Sequence, residues 1–115
     1  MKLKIKRIYE PPEKSDGFRI LVDRLWPRGI SKKRAAVDVW LKDIAPTSGL
    51  REWFGHDPDR WDEFRHKYTR ELKKNKTTVG QIKKFIDEND IVTLVFSAKD
   101  VMRNQASVLK RFLNK

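Results

Sequence analysis

Apolar positions recur along this chain with two different periods. In residues 3–9, Leu3-Lys4-Ile5-Lys6-Arg7-Ile8-Tyr9, apolar and basic side chains alternate at first, which predicts a half-exposed strand. Residues 18–25 form a near-continuous apolar run broken by Arg19, with the strand ending at Asp23. Residues 91–96 form a second such run. Strands apolar on both sides belong in the middle of a sheet. Between them, Pro11, Pro12 and the Asp16-Gly17 pair predict a loop over residues 10–17. Residues 37–41 fit two templates. Positions 37, 39 and 41 alternate as in a strand, whereas 37, 40, 41 and 44 suit a helix; the crowding of β-favouring residues favours the strand.

The remaining apolar positions follow the helical period. Ser31 is expected to cap one or two turns ending at Ala36. Ala45-Pro46 closes the segment after that, and Ser48 is expected to cap a short helix through Phe54, ended by Gly55. The clearest helix opens with Asp57 as cap and Pro58 in its first turn, with Asp59, Asp62 and Glu63 near the positive end of the dipole. Its Trp61, Phe64, Tyr68 and Leu72 share one face. Thr78 with Gln81 reads as a capping box for a helix that turns Val79, Ile82, Phe85 and Ile86 inward. A last helix carries Ala106, Leu109, Phe112 and Leu113 on one side.

Buried strands joined by helices predict an α/β fold: a small three-layer, Rossmann-like domain. Its mostly parallel sheet would have about four strands, with helices on both faces. Residues 1–115 fit a single domain, without repeats, linkers or low-complexity tracts. The connection over residues 10–17 is eight residues long, shorter than the dozen or more of a usual parallel crossover. The first strand is therefore expected to be an antiparallel neighbour of the second, or to be joined to it by an unusually tight loop.

Composition narrows the chemistry. Charged residues make up 37% of the chain, yet four Trp, six Phe and two Tyr supply a core. There is no Cys, which excludes disulfides, thiolate catalysis, iron–sulfur clusters and Cys-based zinc sites. No apolar run approaches the ~20 residues that span a bilayer, and the Lys-rich start lacks the apolar stretch of a signal peptide, so a cytoplasmic protein is expected. The net charge is +11, and residues 1–42 hold 12 Lys and Arg against 5 Asp and Glu. Such an excess attracts phosphates, nucleic acid or acidic surfaces.

One constellation offers chemistry. In a parallel α/β sheet, ligands bind beyond the carboxyl ends of the strands. Two strand ends here are polar: Asp23-Arg24-Leu25-Trp26-Pro27-Arg28-Gly29, followed by Ser31 to Arg34, and Ser97-Ala98-Lys99-Asp100. If both strands run the same way, Arg24, Arg28 and Lys99 converge, with Lys42 adding charge. These four are the expected anion-binding residues, gripping phosphate or carboxylate. Asp23 would orient Arg24, Tyr9 would line the mouth, and Trp26 and Ser97 would support the site. Asp23 pairing with Arg24 as a plain structural ion pair is the competing expectation. Catalytic residues are not identified. There is no G-x-G-x-x-G, Walker, G-x-S-x-G or H-E-x-x-H motif, and no motif calls for a cofactor. His56 and His66, ten residues apart, make a weak metal pair, and no metal site is expected. Three functions remain open. The first is an anionic small molecule, nucleotide-like or other, bound or transformed in a crevice; the second is nucleic-acid binding on the basic surface; the third is docking of an acidic partner.

The blocks Val22-Asp23-Arg24-Leu25-Trp26-Pro27-Arg28-Gly29, Trp40-Leu41-Lys42 with Ala45-Pro46, Trp53-Phe54-Gly55-His56-Asp57, and Leu94 to Asp100 resemble the YeaO-like family of uncharacterised bacterial proteins. The resemblance spans almost the entire chain. It implies a small cytoplasmic α/β domain and no established activity. The chain is also distantly similar to a broader superfamily in which the strand before the last helix ends in a Cys and a Cys-His-Arg cluster opens that helix. Here Ser97 stands at the strand end, with Asn104-Gln105 further on. That similarity implies a strand at residues 37–41 and sets Arg24, Arg28 and Ser97 at one sheet edge.

Overall fold

The computed structural model describes residues 2–114. Strands β1 (Lys2–Arg7), β2 (Phe18–Leu21), β3 (Val39–Trp40) and β4 (Ile91–Phe96) form one all-parallel sheet in the order β1-β4-β2-β3. The helices are α1 (Lys32–Ala35), α2 (Ser48–Phe54), α3 (Trp61–Lys74), α4 (Lys76–Glu88) and α5 (Gln105–Leu113). The two apolar runs are β2 and β4, side by side and parallel, in register from Phe18 opposite Val92 to Leu21 opposite Val95.

β1 is not the antiparallel neighbour of β2; the second expectation, an unusually tight loop, is the one the structure meets. The strand runs parallel to the rest and lies one strand away from β2, with β4 between them. Its connection to β2 stays short because it carries only a 3-10 turn at Lys14–Asp16 in place of a crossover helix.

Strand alternation sorts the core. Val92, Leu94 and Phe96 of β4 point with Ile20 of β2 into a cluster built with α2, α3, α4 and α5. On α3, Phe64, Tyr68 and Leu72 are buried while Trp61 is half-buried. The other sheet face is covered more thinly. There Leu21 and Val95 pack with Ile8 and with Ala35 of α1. Helices thus lie on both faces, but unequally.

The residue that interrupts the first apolar run explains the thin face. Arg19 is buried at 3% exposure. Its guanidinium donates to Asp16 at 2.6 Å and to the carbonyls of Ala35 at 2.8 Å and Ala36 at 3.2 Å. Lys6 reaches the same Asp16 carboxylate at 3.1 Å, and the Thr93 hydroxyl donates to the Asp16 carbonyl at 2.6 Å. Buried charge is tolerable here because each group is paired.

Two predicted caps shift. Thr47, not Ser48, caps α2, its hydroxyl accepting from the Leu50 N–H at 3.3 Å. Thr78 lies buried inside α4 and caps nothing; the helix opens after Asn75, which also terminates α3. The Asn75 amide donates to the Asp43 carbonyl at 2.9 Å, fixing this junction one turn earlier than the capping-box pattern suggests. Ser31 caps α1 as expected, accepting from the Arg34 N–H at 3.1 Å. Asp57 caps a 3-10 turn, Pro58–Arg60, that runs directly into α3.

Two stability predictions follow from this packing. Phe64, only 2% exposed and stacked on Phe54 at 4.3 Å, should lose ~3–5 kcal/mol on Phe64→Ala in urea unfolding. Gly17 has φ +63°, and a Cβ there would fall 2.2 Å from the Ile91 carbonyl oxygen. Gly29 has φ +75° but open space around it. Gly29→Ala should therefore cost only the ~1–2 kcal/mol of left-handed backbone, and Gly17→Ala clearly more, in the same assay.

Candidate functional site

Because β2 and β4 are parallel neighbours, their carboxyl ends open at the same edge. A crevice of about 720 Å³ lies there. The segment 23–28 after β2 forms one wall, and 97–100 after β4, with Asn104 and Gln105 at the start of α5, forms another. The third side comes from Ala45-Pro46, from Arg51 and Phe54 of α2, from His56, and from Phe64 of α3.

Asp23 holds these parts together. It is 6% exposed. One carboxylate oxygen accepts from the Ser97 N–H at 3.1 Å, the other from the Gln105 side-chain amide at 2.5 Å. Its carbonyl accepts from the Trp40 indole at 2.7 Å. One residue thereby joins the ends of β2 and β4, the start of α5, and β3. Burial raises the Asp23 carboxyl above its ordinary range, and the opposing pull of Ser97, Gln105 and Arg51 is too weak to cancel it.

Asp23 does not orient Arg24, nor does it pair with it. Both Asp23 oxygens are taken by neutral donors, and Arg24 turns to the opposite wall. Its Nε donates to the Pro46 carbonyl and its Nη2 to the Ala45 carbonyl, each at 3.0 Å, and Nη1 lies 3.8 Å from Asp43. Arg24 borders the crevice as the brace of the 45–46 segment.

Arg28 and Lys99 are exposed and border the crevice, as does Arg51, which sequence reasoning missed. None of the three has a salt-bridge partner among the described residues. Lys42 is not in the lining; its ammonium sits over the Trp40 ring, 5.6 Å from the centroid. Tyr9 is outside as well. Its hydroxyl donates to the Arg28 carbonyl at 2.7 Å, propping that turn from behind. Arg7 lies over the Tyr9 ring and donates to the Ala98 carbonyl at 2.9 Å and the Ser97 carbonyl at 3.2 Å, so both loops share one support. Trp26 lines the crevice while its indole donates to the Ile30 carbonyl at 2.8 Å and its ring meets Trp40 edge-on at 5.5 Å.

The lining carries Arg24, Arg28, Arg51 and Lys99 against Asp23 and Asp100, with His56 beside them. The Arg103 and Met102 N–H groups, each donating at 2.9 Å, hold the Asp100 carboxyl below its ordinary range. No group of three or more His, Cys, Asp or Glu side chains is placed to hold a metal among the described residues. Gln105 could have been found from topology alone, since the first residue of the helix after β4 must lie at the same edge. For Arg51, Phe54, His56 and Phe64, no local pattern says which strand end their helices will face.

The family model of the inactive DUF488-N3 subclade matches residues 2–115, and the chain belongs to that YeaO-like family. The uncharacterised Escherichia coli protein YeaO is 42% identical over 113 residues, covering 98% of this chain and 97% of its own. An uncharacterised protein of Mycobacterium tuberculosis and another of Mycobacterium bovis are each 40% identical over 113 residues, covering 98% of this chain and 94% of theirs. No solved structure matches the chain.

The Asp23 geometry predicts a pH signature. A carboxyl whose folded value lies above its unfolded one binds more protons in the fold. Its contribution to stability is full below about pH 4 and is lost as pH rises through the folded value. Asp23→Asn removes that loss. The stability of Asp23→Asn relative to the parent should therefore improve with rising pH above about pH 4 and then level off, read by denaturant unfolding across pH. A difference independent of pH would show Asp23 to be unperturbed.

Proposed function

We propose that the protein binds a small anion, phosphate or carboxylate, in the crevice at the carboxyl edge of its sheet, and binds it without transforming it. The observation that carries this reading is the convergence of Arg28, Arg51 and Lys99, none of them ion-paired, on one concave space. Arginine grips phosphate and carboxylate through two parallel hydrogen bonds, and a lysine adds a point charge. Arg24, committed to two carbonyls, serves the site by holding its wall.

Binding without turnover is supported by the description of the family as an inactive subclade. The rival reading is a diffuse basic surface that binds nucleic acid. It draws on Lys32, Lys33 and Arg34, which are exposed on α1 and stand outside the crevice.

Calorimetric titration with inorganic phosphate separates the two. Arg28→Lys and Arg51→Gln should each weaken phosphate binding by roughly 1.5–3 kcal/mol per lost charge-assisted contact. Joint replacement of Lys32, Lys33 and Arg34 by Ala should leave it unchanged. Should the crevice variants keep phosphate while the triple variant loses duplex DNA with a reduced salt slope, the basic-surface reading replaces this one.

A further inference from the structure

We infer that the crevice takes a phosphate monoester that carries a flat aromatic ring, either on the ester oxygen, as in an aryl phosphate, or through a sugar, as in a nucleoside monophosphate. This rests on the anion-binding reading above and adds the body of the ligand to its charge.

Size comes first. At about 720 Å³ the crevice falls among sites that enclose whole organic ligands, ~300–1,000 Å³, and an inorganic anion would leave most of it to water.

The walls come second. Leu25, Trp26 and Pro27 line one side, and the stacked Phe54 and Phe64 rings contribute to the other. Leu25 is 60% exposed, a large apolar side chain held at the mouth with no protein cover. A ligand's apolar body placed there removes that surface from water. A planar ring suits this lining better than an alkyl chain, because the half-buried Trp26 indole and the exposed guanidinium planes of Arg28 and Arg51 are groups that stack on ring faces, while Phe54 and Phe64 are buried against each other.

Charge comes third. Four cations against two carboxylates leave a local excess of two positive charges in the lining. A phosphate monoester dianion neutralises that excess. A triphosphate would overshoot it, and among the described residues no acidic cluster is placed to hold the metal ion that usually accompanies one.

The test compares adenosine monophosphate, phenyl phosphate, ribose 5-phosphate, inorganic phosphate and adenosine by calorimetry. The parent, Leu25→Ser and Arg51→Gln are titrated with each. Leu25 is exposed, so its replacement leaves the fold intact, which a thermal melt verifies. At least one aromatic phosphate should bind at least roughly tenfold tighter than ribose 5-phosphate, inorganic phosphate and adenosine. Leu25→Ser should narrow that gap without changing the affinity for inorganic phosphate, while Arg51→Gln should weaken every phosphate. A preference for adenosine monophosphate over phenyl phosphate would assign a nucleoside body, and equal binding a simple aryl one. If ribose 5-phosphate binds as tightly as both aromatic esters, the aromatic body is wrong and the anion site stands. If no phosphate binds the parent at all, the anion reading falls with it.

Discussion

Every hydrogen bond that joins β1 to the rest of the sheet passes through β4. The first two strands are made early in the chain, yet they do not pair; the strand that fits between them arrives only at residue 91. Most of the helical layer is synthesised in between. The sheet therefore cannot close on local contacts, and the entropy of bringing distant segments together must be met before parallel pairing returns anything. What favours the insertion is the composition of β4: Val92 through Phe96 are buried, with apolar side chains serving both faces and Thr93 the one polar member. The Gly17 backbone lies so close to Ile91 that this junction has no room for a side chain.

Two buried aspartates tie the inserted strand to its neighbours, Asp16 through its carbonyl to Thr93 and Asp23 through its carboxylate to the Ser97 N–H, and their carboxyls respond to pH in opposite senses. Burial alone would raise Asp16. The Glu13 N–H, Lys6 and Arg19 outweigh it and hold Asp16 below the ordinary carboxylate range. Its stabilising contribution is present above the unfolded value and is lost as pH falls through the lower folded one. Asp23, raised by burial against neutral donors, behaves the other way. The difference lies in the partners: Asp16 meets two cations directly, whereas Asp23 meets an amide N–H and a glutamine. An ion pair solves the problem on the thin face of the sheet. A neutral tie solves it at the open edge, where cations bonded to Asp23 would no longer be free for a ligand.

Much of this was legible in the residues. Both central strands, the apolar face of α3, the Ser31 and Asp57 caps and the meeting of two polar loops at one edge follow from periodicity, capping chemistry and parallel topology. What escaped was non-local. Arg19 looks in sequence like a flaw in an apolar run, and only the placement of Asp16 and the end of α1 beside it makes it an anchor. Adjacency in sequence suggested that Asp23 serves Arg24, but each satisfies groups 20 or more residues away. Thr78-x-x-Gln81 has the capping pattern, yet Asn75 is tied to Asp43 and starts the helix first. Lys42 is the local exception: the ring of Trp40, two residues before it, holds its ammonium away from the crevice.

The site is best understood as what remains after the fold has taken its share of polar groups. At the strand ends, Asp23, Gln105 and the Ser97 amide bond one another, Arg24 braces Ala45 and Pro46, and Arg7 holds the carbonyls of Ser97 and Ala98. Each of these groups would be reactive or sticky if free, and each is occupied. Arg28, Arg51 and Lys99 are not, and they sit above a largely apolar lining of Leu25, Trp26, Pro27, Phe54 and Phe64. Ser97 gives its amide to a structural carboxylate, whereas the cationic rim draws on different atoms: the floor is bound into the fold, and the rim is left to side chains that form no ion pair within it.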